Sequence, residues 1–161
     1  MTNNNRDEGG RTSLHYAAID GPSDLPYIAA QTDAALDEEN WRKANEYKVA
    51  NVSRLLSEGA DVNVADAQGF TPLLFAAASD SVDVVRLLLD AGADIEAANN
   101  KGETPLYKAV RNTTRGAVPI TELLLERGAN PNAQLANGSS PLAFVRRFQK
   151  PGIVELFADL P

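Results

Sequence analysis

The chain has 161 residues, 43% hydrophobic and 23% charged, the balance of one ordinary globular domain. Its net charge of −7 and pI near 4.7 disfavour wide contact with nucleic acid or an anionic membrane, whose phosphates need a positive face. No cysteine is present, which excludes disulfides, thiolate metal sites and a thiol nucleophile; with no signal-peptide core and no apolar run of ~18 residues, a cytoplasmic protein is expected.

A Gly-x-Thr-Pro-Leu string at Gly69 returns at Gly102, 33 residues on. Aligning on the glycines divides the chain, after a short leader, into four units of a single domain spanning 1–161. The first, about 7–65, opens DEGGRTSLHYAA and closes VSRLLSEGADVNVA, with an insertion at 22–47 between its two helices. Pro22 and Pro26 start the insertion as a loop. A helical turn or two is expected around 27–35, and the pattern is clearly helical from Asp37. Asp37, Glu38 and Glu39 suit a helix N-terminus, whose dipole end favours negative charge. Trp41, Ala44, Tyr47 and Ala50 or Val52 fall near one face. The second helix of this unit is therefore expected to be lengthened, running from near 37 to near Glu58, roughly 33 Å at ~1.5 Å per residue. The insertion carries a net charge of −4, over half the total.

The second unit, 66–98, is the complete one. Asp66-Ala67-Gln68-Gly69 predicts a turn, with Asp at its first position and Gly at its last. Thr71 suits an N-cap and Pro72 the first helical position, where its missing N–H costs little. Leu73, Ala76 and Ala77 give that helix a small apolar face. Val85, Leu88 and Leu89 mark a second amphipathic helix, ended by Gly92 in a left-handed position. Short helices of this kind are marginal alone and gain their core by stacking. The third unit, 99–134, repeats the pattern with three extra residues near 112–117. The fourth, 135–161, is short, opens on Leu135 instead of Asp or Asn, and has a brief last helix. The first and fourth units read as caps. Phe144, Phe148, Phe157 and Leu160 of the last are expected to pack against the third unit, with an apolar flank for a partner or for self-association as the alternative.

Thr71-Pro72-Leu73-Leu74-Phe75-Ala76-Ala77 and Val84-Val85-Arg86-Leu87-Leu88-Leu89-Asp90-Ala91-Gly92-Ala93-Asp94 resemble the two signature stretches of the ankyrin repeat. The resemblance implies an all-α fold: a curved solenoid of about four helix-turn-helix units with β-hairpin-like fingers, here with a helical insertion in the first repeat. It implies binding through finger loops and concave helices. It also gives His15 the family's histidine position, and with it a structural hydrogen bond.

No catalytic set is legible. His15 is the only histidine, so neither a Ser–His–Asp arrangement nor a metal-ligand spacing can be assembled. Gly9-Gly10 precede no Gly-Lys-Ser/Thr and read as a finger turn. Arg146, Arg147 and Lys150 read as a helix surface, and Asn137-Gly138-Ser139 as a turn. No cofactor and no metal are expected.

Exposure carried over from the resemblance nominates Glu8 and Arg11 in the first unit, Gln68, Phe70 and Ser79 in the second, and Lys101, Glu103, Arg111 and Asn112 in the third. Asp37, Glu38, Glu39 and Trp41 join them as an acidic, aromatic-bearing patch on the insertion. Each has a plain alternative: Trp41 packs within the fold, Phe70 lies back on its neighbour's finger, and the acidic residues form a solvated face with a stabilising first helical turn. The expectation is a monomeric, non-enzymatic protein that binds a specific protein partner as an inhibitor or immunity-type protein, the partner being a basic one such as a toxin. The alternative is an adaptor or regulatory scaffold subunit. No nucleic acid or membrane is expected as a partner.

Overall fold

The computed structural model describes residues 5–19, 34–158 and 160, with side chains in the long second helix from Glu38 onward. Residues 1–4 of the leader, the expected loop at Pro22 and Pro26, most of the expected turn at 27–35 and the Asp37 side chain lie outside the described residues. Among the described residues seven α-helices follow in order: α1 Ser13–Ala17, α2 Ala34–Ser57, α3 Pro72–Ala77, α4 Val82–Asp90, α5 Pro105–Arg111, α6 Ala117–Glu126 and α7 Pro141–Phe148. A single 3₁₀ turn, Val154–Phe157, comes last. No strand occurs among the described residues.

The first helices start where the sequence supplies a cap. The hydroxyls of Thr71, Thr104 and Ser140 accept the N–H groups of Leu74, Tyr107 and Ala143, and Pro72, Pro105 and Pro141 fill the first helical position. The second helices stop by one device used three times. Gly59, Gly92 and Gly128 take φ of +83°, +89° and +87°. The following Ala60, Ala93 and Ala129 N–H groups reach back to the carbonyls of Leu55, Leu88 and Leu124.

Helices pair as hairpins, α1 with α2, α3 with α4, and α5 with α6, while α7 packs on the 3₁₀ turn. Neighbouring hairpins stack in two rows. α1, α3, α5 and α7 form the first row, and α2, α4 and α6 the second. Leu14, Leu73, Leu106 and Leu142 occupy the same position in successive first helices and are all buried. Val52, Val85 and Ile120 face them from the second helices. Ala17, Ala76 and Ala109 let the first helices close together. The C-terminal unit contributes Ile153 and Phe157 to the same core, while Phe148 stays 58% exposed.

The fingers are tight turns. In each, the N–H of the opening residue bonds the carbonyl four residues on: Asp7 to Arg11, Asp66 to Phe70, Asn99 to Glu103, and Leu135 to Ser139. Successive fingers are joined by one backbone bond apiece, from Ala67 to Gly9, Asn100 to Gln68, and Ala136 to Lys101. The β-hairpin-like fingers implied by the resemblance are thus turn-to-turn links without assigned strands. One bond per neighbour is too few to make a ladder.

Candidate docking surface

Two rows of equivalent side chains meet along the first helices. Tyr16, Phe75, Lys108 and Phe144 each lie three residues after the first residue of α1, α3, α5 and α7. Arg11, Phe70, Glu103 and Ser139 each close a finger just before the helix cap. Phe70 stacks on Phe75 with ring centroids 5.1 Å apart. The Arg11 guanidinium lies 5.0 Å above Phe75, and the Lys108 ammonium 5.3 Å above Phe70. Farther along, Arg111 sits 5.5 Å from Tyr107 and 5.9 Å from Phe144. Phe148 packs on Phe144 at 4.5 Å, with Arg147 5.5 Å above its ring. Each such cation–ring contact contributes about 0.5–1 kcal/mol at an exposed site. The result is a strip of aromatic rings roofed by cations.

Buried polar groups set this strip in place. Asp66 Oδ1 accepts the N–H groups of Gln68 and Phe70 at 2.9 Å, while its Oδ2 takes the Arg11 guanidinium at 3.2 Å. Asn99 Oδ1 accepts Lys101 N–H at 2.9 Å and Glu103 N–H at 3.1 Å, and its amide donates to Glu103 at 2.7 Å. His15 is fully buried; its Nδ1 accepts the Thr12 N–H at 3.0 Å and its Nε2 donates to the Phe70 carbonyl at 2.9 Å. That pattern makes the ring neutral with the proton on Nε2. Burial pushes its pKa below the ordinary 6.5, against the opposing pull of the Phe70 carbonyl.

Several of the nominated residues do not stand free. Glu103 is 8% and Asn112 6% exposed, contrary to the exposure expected of them. Glu103 is drawn in by Asn99, Arg111 and Lys108. Asn112 donates to the carbonyls of Ala77 and Ser79 at 3.3 and 2.5 Å, and its own oxygen accepts Thr114 N–H at 2.8 Å. The extra residues of the third unit therefore form a turn anchored on the unit before it. Ser79 is half-buried, with its hydroxyl turned back to the Ala76 carbonyl. Phe70 is half-buried too, but against Phe75 of its own unit. Glu8, Gln68, Lys101 and Arg111 are exposed, and Arg11 is half-exposed. The nominations omitted Phe75, Tyr107, Lys108 and Arg147, and named Phe144 and Phe148 only in the alternative of an apolar flank. The repeat itself carried a signal for the Phe75–Lys108–Phe144 row, namely one position read across all four first helices.

The nominated residues of α2 lie elsewhere. Trp41 donates its indole N–H to Asp80 at 2.9 Å and is roofed by Arg115, 4.5 Å above the ring. Lys48 reaches the same Asp80 carboxylate at 2.7 Å, and the Asn45 amide donates to Asp83 at 2.9 Å. Ser81 donates its hydroxyl to the Asn45 oxygen. Trp41, Asn45 and Lys48 stand at i, i+4 and i+7, so one edge of α2 is bonded to the turn leading into α4. Glu38 pairs with Arg115 at 2.7 Å and Glu39 with Lys43 at 2.7 Å, both exposed. The Lys43 ammonium holds the Glu39 carboxyl below its ordinary pKa. Trp41 therefore packs within the fold, and two of the three nominated acids, Glu38 and Glu39, are already paired.

A family model described as "Ankyrin repeats (3 copies)" matches residues 42–158. The chain belongs to the ankyrin-repeat family. Ankyrin repeats mediate protein–protein interaction and are typically non-catalytic. Among ankyrin proteins, the putative ankyrin repeat protein FPV223 of fowlpox virus (strain NVSL) is 30% identical over 148 residues, covering 92% of this chain and 83% of that protein. The horse ankyrin repeat, SAM and basic leucine zipper domain-containing protein 1 is 36% identical over 107 residues, 66% of this chain and 22% of that longer protein. The matched ankyrin range begins inside α2, so α1 precedes it. Among the described residues, no helix is long and apolar enough to cross a membrane.

Proposed function

We propose that this ankyrin protein works by occupying one protein partner with its finger face, as an inhibitor or immunity-type protein does. One observation carries the reading. The backbone that carries Phe70 and Lys101 is fixed by buried Asp66, Asn99 and His15, and Asp66 also holds the Arg11 guanidinium, before any partner arrives. A surface ordered in advance loses little entropy on docking. Full-length tagged protein should retain one stoichiometric partner from its host. A Phe70→Ala/Phe148→Ala variant that remains folded should lose it. Equal retention by wild type and variant would remove the finger face from the mechanism.

A second reading, an adaptor or regulatory scaffold, is favoured by the acidic edge of α2, where Glu38, Glu39 and Glu46 are exposed on a helix of the second row while the finger strip follows the first. That edge suits a basic protein, a toxin included. An adaptor holds two proteins at once. A ternary complex that loses one member on Phe70→Ala/Phe148→Ala and the other on Glu39→Lys/Glu46→Lys would establish it.

A further inference from the structure

Charge on the finger face runs against charge on the whole chain. On its C-terminal half, Lys101, Lys108, Arg111 and Arg147 stand against the single carboxylate of Glu103. The chain as a whole carries −7. Glu103 is shared between two cations at 3.3 Å from Arg111 and 3.8 Å from Lys108. Both distances exceed the 2.7–2.9 Å of a full charge-assisted bond. Lys101 and Arg147 have no carboxylate partner among the described residues. Between these cations lies an open depression of about 280 Å³, lined by Ala78, Lys108, Arg111 and the Asn112–Thr114 turn. Ala78 lines it with a single methyl group. Its walls offer an ammonium, a guanidinium and the Thr113 hydroxyl.

We infer that the partner segment seated on this half of the face is acidic, placing an Asp or Glu carboxylate in the depression between Lys108 and Arg111. The inference rests on the finger-face reading above and specifies its chemistry. A carboxylate entering there takes the unused donors of the Arg111 fork and of Lys108, turning one shared acid into two. Arg111 is already ordered over Tyr107 and Phe144, so its guanidinium gives up little freedom on binding. Farther along, Arg147 on Phe148 receives the next acidic or C-terminal carboxylate of the same segment, with the exposed ring beneath it for an apolar neighbour. A basic segment is repelled from this half of the face and is left to α2.

The test is selection of random twelve-residue displayed peptides on the full chain, followed by fluorescence titration of the enriched peptides. Enriched sequences should carry Asp or Glu, and their affinity should fall about tenfold or more in Lys108→Gln/Arg111→Gln, the loss of one or two charge-assisted bonds. Affinity should hold in Glu39→Lys/Glu46→Lys and decline steeply with added salt. The glutamine variant keeps hydrogen-bonding side chains next to Glu103, and its thermal melt separates lost binding from lost folding. Enriched peptides that lack acids yet lose binding in Phe70→Ala/Phe148→Ala would overturn this inference while leaving the finger-face reading intact. Peptides that bind only through α2, or no enrichment at all, would overturn both. Stronger capture of a phosphorylated peptide than of its Glu-substituted equivalent would overturn the choice of a carboxylate.

Discussion

His15 shows how much one buried side chain contributes to this surface. It bonds the start of its own helix and the finger of the next unit, so it fixes both the α1 cap and the Phe70 backbone. His15→Ala strands the Thr12 N–H and the Phe70 carbonyl in a dry site. Urea unfolding at pH 7 should show a loss of about 2–4 kcal/mol. The same residue makes stability depend on pH. Its folded pKa lies below the ordinary 6.5, so the unfolded chain binds the proton more readily. Its stabilising share is complete above about pH 6.5 and is lost as the pH falls from there toward the lowered folded value. Denaturation midpoints taken from pH 7.5 to 5 should decline in the wild type and decline less in His15→Gln. Single positions were the least legible part of the sequence. Glu103 reads as an exposed finger residue, yet it is buried because Asn99 and Arg111 converge on it from two elements. No local pattern reports that convergence.

Elements were easier to read than residues, because caps and stops are local. Thr-Pro at a helix start and Gly at a helix end mark α3, α4 and α5 from their own few residues. The long α2 was expected from near 37 to near Glu58 and runs Ala34–Ser57. What it leans on was not visible, since Asp80 and Asp83 belong to another unit. Asp80→Ala leaves the Lys48 ammonium, whose side chain is 9% exposed, and the Trp41 N–H without their acceptor. A loss of about 2–4 kcal/mol is expected in urea melts, partly recovered by Lys48→Met in the same chain, which removes the stranded charge. Glycines separate into two kinds. Gly69 has φ +81°, and a Cβ there would meet Asn100 Oδ1 at 2.8 Å and Asn100 N at 3.0 Å. Gly59 has φ +83° with nothing within 4 Å. Gly59→Ala should cost about 1–2 kcal/mol from the left-handed backbone alone. Gly69→Ala should cost measurably more, since the neighbouring finger must also move, and paired thermal melts compare the two directly.

At the scale of the whole molecule, helices pack mainly on those of neighbouring units, while Arg115 of the third unit reaches Glu38 and Trp41 of the first, so stability is expected to be graded along most of the stack. Ile153 and Phe157 cover the C-terminal end of the core. Deleting residues 151–161 should lower hydrogen-exchange protection in α7 first and in α6 next, with α1 and α2 least affected. Uniform loss throughout the chain would show a single cooperative unit instead. The sequence alone determined the repeat, the helical hairpins and their caps. These depend on spacing and backbone conformation, which neighbouring residues dictate. Only the tertiary structure decided where charge resides and which side chains are free. Stacking brings Lys108 to Phe70, Arg111 to Phe144, and Trp41 to Asp80 and Arg115. The overall −7 therefore conceals a basic strip on one face. Net charge is a sum over the chain, whereas a partner meets the field of one surface.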